Sequence, residues 1–282
     1  MLTAWPYWGA KTRIAPEIWK RFGNPKWYFE PFGGALGCLL NRPEIGRYEM
    51  VGDADCLIIN FYRAVCLGGV DEVARYADWP SGSVDLVARF RFLSREEPRL
   101  HKLLTDDPRA YDAETAGYFA YVLSNRHGTQ GESLNLWRGA GTARKAAYVD
   151  YLHQLRDRMR GVRIYYGDWK RSAKSALLNS ATESTAILCD PPYGTETGRQ
   201  SNLYRVDRDN LARRVAEWAR QAARLRPRLR IALAGMPNEH EMPGWSFIEW
   251  NTNSKTREWI WFSPSCLSAE MAEPRRRMRR PR

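Results

Sequence analysis

Thr185-Ala186-Ile187-Leu188-Cys189-Asp190-Pro191-Pro192-Tyr193 is the stretch that decides the fold. Its first five residues are a short apolar run and predict a buried strand. The next four stop that strand. Neither proline has an N–H to give, and Pro192 holds Pro191 in an extended conformation. The strand therefore ends in a stiff turn that fixes an acid, a ring and free carbonyls in place. That set suits a planar heterocycle carrying an amino group. The carboxylate and a carbonyl accept the two amine hydrogens, and the ring stacks on the heterocycle. The plain alternative is an ordinary exit from strand to loop.

Upstream, Lys11 to Phe22 predicts a short helix and Trp27-Tyr28-Phe29 a strand. The glycine-rich Gly33-Gly34-Ala35-Leu36-Gly37 follows, then an apolar helical start at Cys38-Leu39-Leu40. Tyr48 to Val51 predicts a second strand, ending at Gly52-Asp53-Ala54-Asp55. Cys56 to Leu67 reads as a helix closed by Gly68-Gly69. The stretch from Val70 to Ala147 lacks this strand-helix rhythm. It is helical, polar and Arg-rich, punctuated by Gly128, Gly131, Gly139 and Gly141, and reads as an inserted lobe.

The rhythm then resumes. Tyr148, Leu152, Leu155 and Met159 share one helical face, with Gly161 as C-cap. Val162 to Tyr166 predicts a strand ending at Gly167-Asp168. Beyond the Asp190 turn, Leu211, Val215, Trp218, Ala222 and Leu225 form another apolar stripe, stopped by Pro227. Leu229 to Ala234, Phe247 to Trp250 and Glu258 to Phe262 predict the last strands. Strands alternating with helices imply an α/β fold with a mostly parallel, helix-covered sheet. Such sheets bind ligands at the carboxyl ends of their strands. Glu30, Asp53, Asp168 and Asp190 all fall at such ends.

The chain has 282 residues and a formal net charge of +12, from 44 Lys and Arg against 32 Asp and Glu. That excess attracts polyanions, nucleic acid first. Six arginines in the tail from Glu273 to Arg282 equal half of it. Cys38, Cys56, Cys66, Cys189 and Cys266 show no metal-type spacing and read as reduced thiols of a cytoplasmic protein. His101, His127, His153 and His240 form no ligand cluster, so no metal is expected. No apolar run reaches membrane-spanning length and no signal peptide is read, so no membrane partner is expected. Twelve tryptophans among so many arginines also suit base stacking.

Together these residues resemble the Dam-type N6-adenine DNA methyltransferases, the class whose recognition region is inserted before the Asp-Pro-Pro-Tyr strand. The resemblance runs from about Tyr7 to Phe262. Tyr7-Trp8-Gly9-Ala10-Lys11 is similar to the family's amino-terminal aromatic-x-Gly-Gly-Lys motif. Glu30-Pro31-Phe32-Gly33-Gly34 is similar to its Glu-Pro-Phe-x-Gly loop, although the loop's usual second glycine falls on Leu36 and Gly37 comes one place later. Ser124-Asn125-Arg126 resembles an Asn-Arg segment of the recognition region, and Thr256-Arg257-Glu258-Trp259 a late motif.

The resemblance implies a Rossmann-like S-adenosylmethionine-dependent methyltransferase domain, residues 1–69 and 148–270. It also implies a mainly helical target-recognition lobe at 70–147, ahead of a basic tail at 271–282. S-adenosylmethionine would be held by Tyr7, Trp8, Lys11, Glu30, Pro31, Phe32, Gly33, Gly34, Asp53, Asp168 and Asp190. Within that set, Tyr7 and Lys11 face its methionine part, Asp53 its ribose and Asp168 its adenine. Asp190, Pro191, Pro192 and Tyr193 would carry the methylation of a flipped adenine. The lobe would hold duplex DNA through Arg89, Arg91, Arg95, Asn125, Arg126, Asn135, Arg138, Arg144 and Lys145. The expected assembly is a monomer or weak dimer. An RNA methyltransferase and a decayed module that only binds cofactor or nucleic acid remain as alternatives.

Overall fold

The computed structural model describes residues 11–78, 82–125, 145–193, 210–251 and 257–268. Its centre is a seven-stranded sheet. The strands are β1 (Trp27–Glu30), β2 (Tyr48–Asp53), β3 (Arg163–Tyr166), β4 (Thr185–Cys189), β5 (Leu229–Gly235), β6 (Ser246–Asn251) and β7 (Arg257–Phe262). Their order is β3-β2-β1-β4-β5-β7-β6. The first five run parallel, and β7 lies antiparallel between β5 and β6. From β1 the chain winds outward to β3, then returns to β4 beside β1. Strand order therefore reverses between β1 and β4, and the crevice at their carboxyl ends is where open α/β sheets take ligands.

Successive side chains of a strand point to opposite faces, and here each face has its own core. Ala186 and Leu188 of β4, with Ala232 and Ala234 of β5, join one core. Ile187, Cys189, Ile231 and Leu233 join the other. The first core is covered by α1 (Ala15–Phe22), α2 (Cys56–Cys66), α3 (Val70–Ala77), α4 (Ser83–Asp106), α5 (Ala113–Asn125) and α6 (Lys145–Arg158). The second is covered by α7 (Lys170–Asn179) and α8 (Leu211–Leu225). Two faces lined with apolar side chains account for the continuous hydrophobic reading of β4.

Two departures from the sequence reading have physical reasons. Helix α1 starts at Ala15 rather than Lys11, because Pro16 is tolerated only in a first turn. Helix α7 was not expected. Its buried side chains are the small Ser172, Ala173 and Ala176, which make only a thin apolar stripe. The described helices between Val70 and Asn125 pack into the same core as α2. Val73 of α3, Leu86 of α4 and Phe119 of α5 share the core that contains α2. Asn60 of α2 exchanges two hydrogen bonds with the Asp112 backbone, at 2.8 Å each, and fastens that layer down.

Candidate active site at the carboxyl ends of β1 and β4

The glycine-rich turn after β1 is built for close approach. Gly34 has φ 48°, and Leu36 has φ 54°, in the left-handed region that favours glycine. Leu36 thus takes the left-handed conformation where the resembled loop has glycine. Gly37 serves a different need. A Cβ there would lie 2.7 Å from the Thr12 nitrogen and 3.0 Å from that of Lys11. The bare glycine lets the segment before α1 cross the turn and brings Lys11 into the sheet's crevice.

Lys11 is 3% exposed. Its ammonium donates to Asp190 Oδ2 at 2.7 Å and to the Tyr193 hydroxyl at 3.1 Å, and lies 3.3 Å from Glu258 Oε2. The Tyr193 hydroxyl donates to Glu258 Oε2 at 2.8 Å and lies 3.2 Å from Asp190 Oδ1. Burial alone would lower the lysine's pKa, but the Asp190 and Glu258 carboxylates outweigh it and raise it. Burial raises Glu258, against the pull of Lys11. The cluster keeps a cation between two acids and fixes the Asp-Pro-Pro-Tyr turn. The Asp190 side chain remains 21% exposed.

Glu30, at the end of β1, is 4% exposed. Its Oε2 accepts from the Tyr28 hydroxyl at 2.9 Å and the Leu39 N–H at 3.1 Å. Burial nevertheless lifts its pKa to about 8, and the nearby Asp190 charge adds to the lift. At the end of β2, Asp53 accepts from the Gly34 N–H at 3.0 Å and the Asp55 N–H at 2.9 Å. It is half-buried, and desolvation followed by repulsion from Asp55 pushes it up to about 7. Beyond β3, Asp168 is exposed and accepts from the Lys170 N–H at the start of α7. Phe32 stacks on the neighbouring Trp169, ring centroids 6.4 Å apart.

Glu30 carries a pH prediction. Its folded pKa stands above the ordinary 4.5, so the fold favours its neutral form. That contribution is complete below 4.5 and is lost as pH rises towards 8. Urea unfolding of the ligand-free protein should therefore show wild type losing stability relative to Glu30→Gln by about 1 kcal/mol per pH unit between pH 5 and 7. Asp53 titrates in both proteins and cancels. A difference that stays flat with pH contradicts the shift.

Lys11, Glu30, Gly33, Gly34, Asp53 and Asp190–Tyr193 gather around the β1 and β4 ends, with Pro31 and Phe32 in the same turn. Tyr7, Trp8, Arg126, Asn135, Arg138 and Arg144 lie outside the described residues, as does the side chain of Lys145. Arg89 and Asn125 need correction as nucleic-acid contacts. Arg89 is buried, its guanidinium 4.1 Å from the Tyr121 ring centroid and 4.6 Å from that of Tyr118. Asn125 is fully buried and donates to the Tyr121 carbonyl. Arg89 joins α4 to α5, and Asn125 closes the last turn of α5. Arg91 and Arg95 are exposed, one turn apart on α4.

Glu258 was noted only within a loosely similar motif. A sharper signal was present: Glu258, Ile260 and Phe262 share one face of β7, and the latter two are core. An acid at the head of a core face needs a buried partner.

Among the described residues, no group of three His, Cys, Asp or Glu is placed to hold a metal ion. No described helix is long and apolar enough to cross a membrane. No protein-family model and no curated protein matches the chain. Among solved structures, the rRNA methyltransferase aviRa from Streptomyces viridochromogenes is similar at 14% identity and a TM-score of 0.39. The match covers 97% of this chain and 91% of that one.

Proposed function

We propose that the protein is an S-adenosylmethionine-dependent methyltransferase that modifies the N6 amine of adenine in nucleic acid, with duplex DNA as the substrate. The observation that carries this reading is Asp190 at the strand-order reversal, partly open and gripped by Lys11 and Tyr193. Asp190 Oδ2 takes the lysine, and the only other described contact is the Tyr193 hydroxyl at 3.2 Å from Oδ1. A carboxylate offers about four lone-pair sites, so acceptor capacity is left for an amine.

The residues present fit the cofactor. Gly33 and Gly34 keep the turn after β1 bare, and a Cβ on Gly33 would lie 3.1 Å from the Gly52 carbonyl. Asp53 accepts from the Gly34, Ala54 and Asp55 N–H groups and still has lone-pair capacity for a ribose hydroxyl. S-adenosylmethionine supplies an activated methyl group on its sulfonium. The protein's task is then alignment and electrostatics. Asp190 accepts one hydrogen of the amine and stabilises the positive charge that builds on nitrogen. The Pro191 carbonyl accepts the other. A base inside a duplex is out of reach of this crevice, so it must be flipped out.

The test is transfer from labelled S-adenosylmethionine to unmethylated duplex DNA, read at base resolution, with single-stranded RNA in parallel. N6-methyladenine at a repeated short DNA site is the expected result. Label on RNA alone keeps the chemistry and changes the substrate. Label on neither, with S-adenosylmethionine bound, overturns the reading.

DNA binding is expected to weaken steeply with salt. Replacing both Arg91 and Arg95 with alanine should reduce the slope of log affinity against log salt by about 2. An unchanged slope removes α4 from the phosphate contacts.

A further inference from the structure

The cluster around Asp190 is rich in acceptors and short of free donors. The Lys11 ammonium has three N–H bonds, and Asp190, Tyr193 and Glu258 take all three. The Tyr193 hydroxyl spends its one hydrogen on the carboxylates. An amino-substituted heterocycle presents more than its amine. A ring nitrogen stands next to the amino-bearing carbon and requires a donor.

Trp250 supplies one. It faces Glu258 directly across β6 and β7, so the two side chains leave the same face of the sheet. Its ring centroid is 5.9 Å from Lys11 Nζ. The ring is partly exposed, yet its indole Nε1 is shielded and has no acceptor among the described residues. An indole N–H can only donate, and a shielded donor left unpaired is costly. An acceptor brought by a ligand relieves it.

We propose that Trp250 is a specificity-determining residue whose indole N–H donates to the ring nitrogen of the target adenine beside the reacting amine, while Asp190 accepts from the amine. This rests on the adenine methyltransferase reading above. Together the two groups read a ring-nitrogen acceptor beside an exocyclic amine, a pair that thymine, which has no amine, does not present.

The test combines Trp250→Phe, which keeps a ring and removes the donor, with oligonucleotides whose target adenine has carbon in place of N1, and others with carbon in place of N7 as the control. Wild type should lose roughly 10- to 100-fold in kcat/KM on the N1 analogue. Trp250→Phe should lose a similar factor on ordinary adenine and show no added penalty on that analogue. A variant with wild-type rates, or one that suffers the analogue penalty in full on top of its own, overturns the assignment. If the variant fails to fold, wild type alone decides, because equal rates on the N1 analogue and adenine leave no donor to assign. Absence of any transfer by wild type instead defeats the methyltransferase reading itself, and this proposal falls with it.

Discussion

Asp190→Ala is expected to slow methyl transfer by roughly 10³-fold while S-adenosylmethionine still raises the melting temperature. The loss follows from the position of the carboxylate, which closes β4 and is held from one side by Lys11 and from the other by Tyr193. No other described acid shares its combination of partial exposure and Lys11 contact, since Glu258 is 4% exposed. Folding should suffer less than chemistry, because Lys11 keeps Glu258 as a partner. Asp190→Asn retains an acceptor oxygen without the charge and should fall between alanine and wild type. Single-turnover transfer, with melting curves taken alongside, measures both effects. Near-normal turnover by Asp190→Ala would remove the carboxylate from the mechanism.

Lys11→Met should be the most damaging change to the fold near the site. It leaves Asp190 and Glu258 facing each other without the cation between them. Removing one member of a buried ion pair costs about 3–5 kcal/mol, because the other charge stays behind. The sign with pH is specific. In wild type the raised Lys11 pKa contributes stability that persists until pH climbs past the lysine's own range. In the variant, Glu258, already raised by burial, is raised further, so folding favours its neutral form more strongly. The variant's deficit should therefore be small near pH 5 and grow as pH rises to 8. Urea titrations at both pH values test this. Adding Glu258→Gln should recover part of the deficit at pH 8, and a double variant no better than the single one would disprove the coupling.

The parts that read well from the sequence are those in which local chemistry and global position agree. Thr185 to Cys189 is apolar on both faces because helices cover both, so its limits were visible. The acids Glu30, Asp53 and Asp190 stood out because each follows an apolar run. Helix α7 was hidden because alanine and serine bury without looking hydrophobic. Arg89 misled for the opposite reason: an arginine in a polar helix reads as surface, and only the Tyr118 and Tyr121 rings, about thirty residues on, show that its guanidinium is stacked. Glu258 and Trp250 escaped because their meaning lies in the pairing of β6 with β7 and in a lysine at the far end of the chain.

That last arrangement has a consequence for synthesis. Lys11, Asp190 and Glu258 meet in one cluster, yet the ribosome releases them in that order, the last well after the parallel strands. Until β7 slots in beside β5, Lys11 and Tyr193 lack the Glu258 carboxylate that both of them contact. The cluster around Asp190 is therefore incomplete until β7 is made. Under the proposed function, a truncated product that ends before β7, with most of the described sheet in place, should remain inert.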